Sequence, residues 1–342
     1  MASSSKHVFH VAESKPTWQS EYGSIQQVTS NELPILKGMS FKRLVLEKKA
    51  IREPHWHANT PEITYCLSGS ALVSVLDTHS QFASFTISAG QMFHVDSGSL
   101  HHIENLSDTE SAVFLVCFRH EDPEDFGLSS AFGAMTPAVS GNTHNLPAKA
   151  FDHIKFSTEE KKIVVREGPA TIPDWAHHAD PHNYDVEGKE PQLQGEGIGS
   201  AKQAKAQYWP AVKNLAMYSL PELGYVDKGF ARMSILDPDG SVDTYTVKPG
   251  DMYFIPAAYP HQIEVLPEGG DEIHFCIFFD QAMPLDIGYK ASAEAIPHEA
   301  MAATMGISRK DLPKMEGTTG TPLLVKRVNP VDPVKEWTKA KL

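Results

Sequence analysis

The chain has 342 residues, of which 41% are hydrophobic and 21% are charged. At about 150 residues per domain, this length predicts two globular domains, each able to bury a core. The 30 basic and 43 acidic side chains give a formal net charge of −13, the wrong sign for holding phosphate backbones. Composition and charge therefore argue against nucleic acid as a partner.

The first residues and the apolar runs indicate a compartment. Residues 1–18, MASSSKHVFHVAESKPTW, have no basic start followed by an apolar run, and no stretch approaches 18 uninterrupted apolar residues. We therefore expect a cytoplasmic protein with no membrane partner. The three cysteines, Cys66, Cys117 and Cys276, lie in apolar runs, which is typical of buried thiols rather than of a disulfide framework.

A long internal repeat divides the chain. GSALVSVLD at 69–77 is echoed by GFARMSILD at 229–237. The same offset of 160 residues holds without a gap from 61–118 to 221–278. Self-similarity over this length predicts a duplicated domain.

The two copies differ by a deletion. Upstream of the main repeat, GSIQQ at 23–27 pairs with GSAKQ at 199–203, at an offset of 176. The second copy therefore lacks sixteen residues, which correspond closely to 45–60, VLEKKAIREPHWHANT. This missing segment contains a pair of histidines.

The predicted elements are mainly strands. In chain order, the first copy contains ALVSVLD, FASFTI, QMFHV and AVFLVCF, which are short apolar runs separated by turn residues. Such runs at a spacing of 8 to 12 residues favour an antiparallel sandwich or barrel. Residues 166–200 are rich in glycine, proline and polar residues and form the predicted connection, so we place the domains at 1–165 and 166–342. In the tail, Pro297 and Gly306 bound a predicted helix, HEAMAATM. The fold class is all-β, with a short helical carboxyl-terminal appendage.

One group of residues has the spacing of metal ligands. In REPHWHANTPEITY, His55 and His57 are two residues apart, so a strand directs both imidazoles to one face. Glu62 follows five residues later, and His101 begins the strand after the turn DSGSL. Three imidazoles and one carboxylate suit a divalent transition metal that keeps open positions for a small ligand. The set contains no cysteine, which argues against a closed structural zinc site.

These motifs resemble those of the oxalate decarboxylase family of bicupins, in the cupin superfamily. The matching residues are His55, His57, Glu62 and Gly69 in the first motif, and Gly90, Gly98, His101 and Asn105 in the second. The chain departs from the family at Lys49, where the first motif opens with glycine, and at Asp96, where the second has proline. The resemblance implies two tandem jelly-roll barrels.

The resemblance also implies a cofactor and a reaction. It points to a metal-dependent enzyme acting on oxalate or a similar small carboxylic acid, with one metal ion in the amino-terminal barrel. Manganese is the expected metal, with iron, nickel, copper and zinc as alternatives. Arg52 occupies the place of the family's arginine beside the metal, where its planar fork can pair with a carboxylate. Strand alternation gives Arg52 the opposite parity from His55, so Arg52 needs a bend or bulge to reach the cavity.

An acidic segment follows the last strand of the first copy. In the family, a lid at this position carries a glutamate that transfers a proton. Here the segment reads RHEDPEDFGLSS and lacks the family's lid sequence. We assign Glu124 as the candidate, and the alternative is a solvated acidic loop.

The second copy retains half of the ligand set. Glu222 matches Glu62 and His261 matches His101, but the histidine pair is deleted, so we expect no metal in this barrel. Two further functions stay open. One is an oxygen-activating dioxygenase resembling quercetinase, with an aromatic substrate, and the other is a non-catalytic bicupin that binds a small ligand. The resemblance also leaves open whether copies of the chain form a homo-oligomer.

Overall fold

A computed structural model gives the fold. The described residues are 5–76, 82–134, 137, 146–151, 158–172, 176, 183–185, 221–237, 239, 241–256, 259, 261–270, 272–280, 308 and 310. The chain separates into one unit formed by 1–188 and 221–280 and a second formed by 189–220 and 281–342. The described strands all lie in the first unit, and the helix predicted in the tail lies outside the described residues.

The strands of the amino-terminal part are short and closely spaced. They are β1 (Val8–Phe9), β2 (Trp18–Ser20), β3 (Gly23–Val28), β4 (Ser40–Leu46), β5 (Ala50–His57), β6 (Glu62–Ser68), β7 (Ser70–Leu76), β8 (Phe82–Ser88), β9 (Gln91–Val95), β10 (Leu100–Asn105), β11 (Ala112–Phe118) and β12 (Asp125–Gly127). A short helix, α1 (Leu128–Gly133), and two further strands, β13 (Ile163–Val165) and β14 (Asn183–Asp185), follow. Among the described helices, none has the length and apolar character needed to cross a membrane.

The carboxyl-terminal strands repeat this pattern. They are β15 (Glu222–Lys228), β16 (Phe230–Leu236), β17 (Val242–Val247), β18 (Met252–Ile255), β19 (His261–Leu266) and β20 (His274–Phe279). β6 and β15 correspond residue by residue at the offset of 160 that the sequence repeat has.

Antiparallel sheets build both repeats. In the first repeat, one sheet has the order β14-β9-β6-β11-β4-β3-β2 and the other has the order β12-β5-β10-β7-β8, with β13 also paired to β5. The second repeat has β18-β15-β20 and β17-β16-β19, which preserve the neighbours of β9-β6-β11 and β8-β7-β10. The all-β prediction with two tandem jelly-roll barrels is therefore confirmed.

The two repeats share an exchanged edge. β1, from the start of the chain, pairs with β18 of the second repeat, and Val8 lies opposite Tyr253. β14, from the predicted connection, pairs with β9 of the first repeat, and Asn183 lies opposite Phe93. Phe93 and Tyr253 are equivalent positions, so each repeat takes an edge strand from the segment that precedes the other.

Strand β11 shows why the apolar runs are continuous. Phe114 and Phe118 point into the core of the first repeat. Leu115 and Cys117 point to the opposite side, into a second cluster that includes Leu223 of β15. A strand with apolar partners on both faces is apolar at every position. None of the three cysteines forms a disulfide bond.

The deleted segment leaves a difference between the repeats. In the first repeat β10 pairs with both β5 and β7. Within the described residues, its equivalent β19 pairs only with β16. The missing segment predicts a second barrel that is open on this side, and this stays a prediction because residues 186–220 lie outside the described ones.

The motif departure at Lys49 has a structural consequence. Lys49 has a φ of 62°, in the left-handed region that favours glycine. Its N–H donates to the carbonyl of Ser107, and its own carbonyl accepts from the N–H of Arg166. These two hydrogen bonds hold the turn before β5 in a conformation that a lysine adopts only at a cost in free energy.

We expect Lys49→Gly to stabilise the protein by about 0.5–1 kcal/mol. Relief of left-handed strain is worth about 1–2 kcal/mol, and the greater freedom of glycine in the unfolded chain offsets about 0.5–1 kcal/mol. Urea unfolding checks this. Lys48→Gly is the control, because Lys48 is not among the residues with positive φ and should gain nothing. Equal effects of the two variants would contradict the assignment of strain to Lys49.

Candidate metal centre

Three strands bring four candidate ligands together. His55 and His57 lie on β5, Glu62 begins β6, and His101 on β10 lies opposite His55. Each is at most 2% exposed. One ligand atom from each residue lies within 4.8 Å of the other three, which is close to the separation of ligands that share one ion. The structure therefore brings together the four residues that the motif predicts.

Backbone carbonyls fix the orientation of two imidazoles. His55 Nδ1–H donates to the carbonyl of Glu53 over 2.8 Å, and His101 Nδ1–H donates to the carbonyl of Ser99 over 3.0 Å. Each bond leaves Nε2 unprotonated when the ring is neutral, as a metal ligand requires. His101 Nε2 is buried and has no hydrogen-bond partner among the described residues, although it lies 3.4 Å from Glu62 Oε2. A buried acceptor without a donor is what a metal would satisfy.

Carboxylates surround the third imidazole. His57 Nδ1 bonds to Asp125 Oδ1 over 2.8 Å, and His57 Nε2 bonds to Glu62 Oε2 over 2.7 Å. Thr64 Oγ1 donates to the other oxygen, Glu62 Oε1, over 2.6 Å. The contact between Asp125 and His57 is the carboxylate–histidine arrangement that orients metal-bound imidazoles in proteins.

The protonation states of the cluster suit a cation. Burial, together with Arg52 and the two neighbouring imidazoles, holds the pKa of His55 well below its ordinary value. Burial alone would raise the pKa of Glu62, but His101 and His57 hold it well below its ordinary value. A neutral imidazole and an ionised carboxylate are the forms that ligate a divalent metal. For His57, burial lowers the pKa, but hydrogen bonds to Asp125 and Glu62 raise it overall.

A β-bulge brings Arg52 to the same cavity. β10 pairs through His101 with His55 and through Ile103 with Arg52, so two residues of β5 lie opposite one residue of β10. The extra residue falls at Glu53–Pro54, and proline, which lacks an N–H, suits a bulge. Arg52 is 4% exposed and lines the cavity with His55. The opposite strand parity of Arg52 and His55 predicted a bend or bulge here.

Asp125 connects this arginine to a second cation. Asp125 Oδ2 accepts from Arg52 Nη2 over 3.1 Å and from Lys42 Nζ over 2.7 Å. Arg52 Nη1 donates to the carbonyl of Lys162 over 3.1 Å, and Lys42 Nζ lies 4.8 Å from the centre of the Phe118 ring. Burial lowers the pKa of Lys42, which Asp125 partly offsets. Burial raises the pKa of Asp125, but His57, Lys42 and Arg52 lower it overall.

The cavity is small and mixed in character. It has about 290 Å³ of empty space, part of it open to solvent. The lining residues are Ile25, Lys42, Leu44, Arg52, His55, His57, Glu62, Ile103, Val116, Phe118 and Asp125. Such a site suits a small anion that lies against a metal and has apolar walls beside it.

The structure does not bring Glu124 to this cavity. Glu124 is exposed, and its N–H donates to Asn59 Oδ1. Strand alternation in β12 directs the next residue, Asp125, toward His57 instead. Lys42 and Asp125 were not among the site residues predicted from the sequence. The pairing of β12 with β5, which selects Asp125, carries no local sequence signal.

The second repeat contains no comparable cluster among its described residues. His261 Nε2 lies 3.9 Å from Glu222 Oε2. Tyr253 donates its hydroxyl to Glu222 Oε1 over 2.5 Å, as Thr64 does to Glu62 in the first repeat. The position equivalent to Thr64 is Gly224, where a Cβ would lie only 2.0 Å from the Tyr253 ring.

Comparisons with known proteins agree with this architecture. Residues 9–150 match the Cupin family. The chain is 25% identical to the oxalate decarboxylase of Bacillus subtilis over 314 residues, which cover 84% of this chain and 79% of that protein. It is 31% identical to a probable oxalate decarboxylase of Arthroderma benhamiae over 144 residues, which cover 42% of this chain and 35% of that protein.

A solved structure supports the fold. The structure of the Bacillus subtilis oxalate decarboxylase used to study its Mn(II) centres matches with a TM-score of 0.74 and 21% identity, covering 94% of this chain and 89% of that one. At this identity the likeness concerns the fold alone. The chain therefore has an oxalate decarboxylase-like bicupin fold, with a candidate metal site in its amino-terminal repeat.

We expect one divalent ion per chain, lost in His57→Ala. Removing this imidazole removes one of four ligands, and chelation should lower the melting temperature of the wild type but not of the variant. Metal analysis after dialysis, with unfolding scans, checks both. His120→Ala, at an exposed histidine, is the control. Two ions per chain, or full metal content in His57→Ala, would contradict the assignment.

Proposed function

We propose that this chain, with a cupin domain at 9–150, is a manganese-dependent lyase that decarboxylates oxalate or a similar small carboxylic acid. The reaction would take place in the amino-terminal barrel. The observation that carries the proposal is the position of Arg52, a buried cation in the same cavity as three of the four candidate ligands. The relatives named oxalate decarboxylase act on a substrate of this chemistry.

The bound metal would act as a Lewis acid on a carboxylate oxygen. Arg52 would pair with the negative charge of the substrate and fix its orientation. Ile25, Leu44 and Val116 line the cavity and exclude water from the carbon–carbon bond that breaks. Proton transfer by Glu124 stays a prediction, and it requires the exposed segment that precedes Asp125 to move.

The cavity favours an anionic substrate over a neutral aromatic one. Lys42 and Arg52 both reach it, and each can donate charge-assisted hydrogen bonds to a carboxylate. A flavonoid carries no carboxylate to pair with these cations. The dioxygenase alternative differs in its co-substrate, because a dioxygenase consumes molecular oxygen.

The manganese-loaded protein should convert oxalate to carbon dioxide and formate, with a carbon–hydrogen bond replacing the broken carbon–carbon bond. Product analysis under air and under nitrogen, with oxalate and quercetin as substrates, tests this. His57→Ala, which should lack the metal, is the control. Turnover of quercetin with oxygen uptake and no reaction of oxalate would favour the dioxygenase instead.

We expect Arg52→Lys to lower kcat/KM for oxalate. The activation free energy that kcat/KM reports should rise by about 1.5–3 kcal/mol, the range for a hydrogen bond to a charged group. Lysine keeps the charge but loses the bidentate geometry. Metal content should not change, because Arg52 is not a ligand. Steady-state kinetics with metal analysis of the same samples checks both, and wild-type rates in Arg52→Lys and Arg52→Ala would remove the main support for the proposal.

A further inference from the structure

Two buried cations and one carboxylate share a wall of the metal cavity. Lys42 and Arg52 both donate to one oxygen, Asp125 Oδ2. The side chains are 11%, 5% and 14% exposed, respectively. We call these three residues the anion wall. Its carboxylate is held by two charge-assisted hydrogen bonds, which are strong where the side chains are this little exposed to solvent.

Both cations have donors to spare. An ammonium has three N–H groups and a guanidinium has five. Among the described residues, Lys42 makes one hydrogen bond and Arg52 makes two, to Asp125 and to the carbonyl of Lys162. The remaining N–H groups belong to residues that line the cavity. The wall can therefore bind a carboxylate that comes from outside the chain.

The charge of the cavity also favours an external anion. Lys42 and Arg52 are opposed by Asp125 and Glu62, so the four charged side chains sum to zero. A divalent ion on the four ligands would add two positive charges that no described side chain of the cavity balances. A metal ion dominates the local field and draws an anion to the site.

We propose that Lys42 and Arg52 together form the substrate-carboxylate site, and that Asp125 occupies this site until a substrate carboxylate replaces it. This inference rests on the proposed function only in taking a small carboxylate as the ligand. Lys42 is then a substrate-binding residue, and Asp125 is an internal competitor. The Asp125 carboxylate offers the two cations the same acceptor chemistry as a substrate does.

The position of Asp125 allows this exchange. Asp125 is the first residue of β12, which lies at the edge of its sheet. The residues on either side, Glu124 and Phe126, are exposed. The Asp125 side chain thus has solvent beside it, and leaving the wall would exchange its hydrogen bonds to Lys42, Arg52 and His57 for water.

The test uses equilibrium binding measured by calorimetry, with acetate and oxalate on metal-free protein and with acetate alone on protein saturated with Mn²⁺, where oxalate would be turned over. In Asp125→Asn, the amide oxygen can still accept from His57, but the charge that competes for Lys42 and Arg52 is gone. We expect this variant to bind both probes about tenfold or more tightly than the wild type, the size of one lost charge-assisted hydrogen bond to the competitor. Lys42→Met should bind both about tenfold or more weakly, and Lys42→Arg should recover binding.

Matched controls separate this effect from a general change in charge. Asp122→Asn and Lys37→Met alter the same charges at exposed positions nearby and should leave both affinities unchanged. A purely structural role for Asp125 predicts weaker or unchanged binding in Asp125→Asn. That result, or wild-type affinity in Lys42→Met, would overturn the proposal.

A structure of the wild-type protein with oxalate keeps the test decisive if a variant does not fold. Oxalate oxygens should lie on Lys42 and Arg52, with Asp125 turned away. Oxalate bound while Asp125 still contacts both cations would overturn the proposal.

If oxalate binds as expected but wild-type protein does not decarboxylate it, the proposed reaction is wrong and the carboxylate site stands. If oxalate is decarboxylated but the variants bind like wild type, the carboxylate site is wrong and the reaction stands.

Discussion

The bulge in β5 is the constraint on which the site depends. Without it, strand alternation would turn Arg52 away from the face that carries His55 and His57. At the same bulge, the Glu53 carboxylate accepts hydrogen bonds from the N–H groups of Lys162 over 2.7 Å and of Ser129 over 3.1 Å. One local irregularity thus directs an arginine inward and secures the chain segments that carry α1 and approach β13. Pro54 lowers the free-energy cost of the bulge. Proline has no N–H, so the bulge breaks no ladder hydrogen bond from this residue.

Charge balance explains the rest of the site. Lys42 and Arg52 could not remain buried as cations without a carboxylate within bonding distance, because an unpaired buried charge costs several kcal/mol. Asp125 supplies that partner and also orients His57. The same carboxylate therefore stabilises the two buried cations and holds a ligand imidazole. These two tasks place opposite demands on Asp125 once an anionic ligand arrives.

The sequence predicts the fold further than it predicts the chemistry. The repeat offset and the spacing of strands and turns are local patterns, and they foretold two all-β barrels. The ligand set could also be read, because strand periodicity and motif spacing fix which imidazoles share a face. Lys42 could not be found in this way, because β4 meets β5 and β12 only through the closure of the barrel. Glu124 and Asp125 are adjacent acids, and only the pairing of β12 with His57 on β5 decides which one faces the cavity.

The second repeat shows how a buried carboxylate is stabilised in a cupin-like barrel whose sequence lacks the histidine pair. Glu222 is only 9% exposed, and a buried carboxylate that loses its partners is destabilising. Tyr253 provides a hydroxyl to Glu222 from the strand opposite, and Gly224 provides the space for its ring. The paired change of Phe93 to Tyr253 and of Thr64 to Gly224 between the repeats thus moves one hydroxyl from β6 to the strand equivalent to β9. The hydrogen bond to the carboxylate is kept while the residue that makes it changes, so burial of Glu222 constrains this barrel independently of any metal.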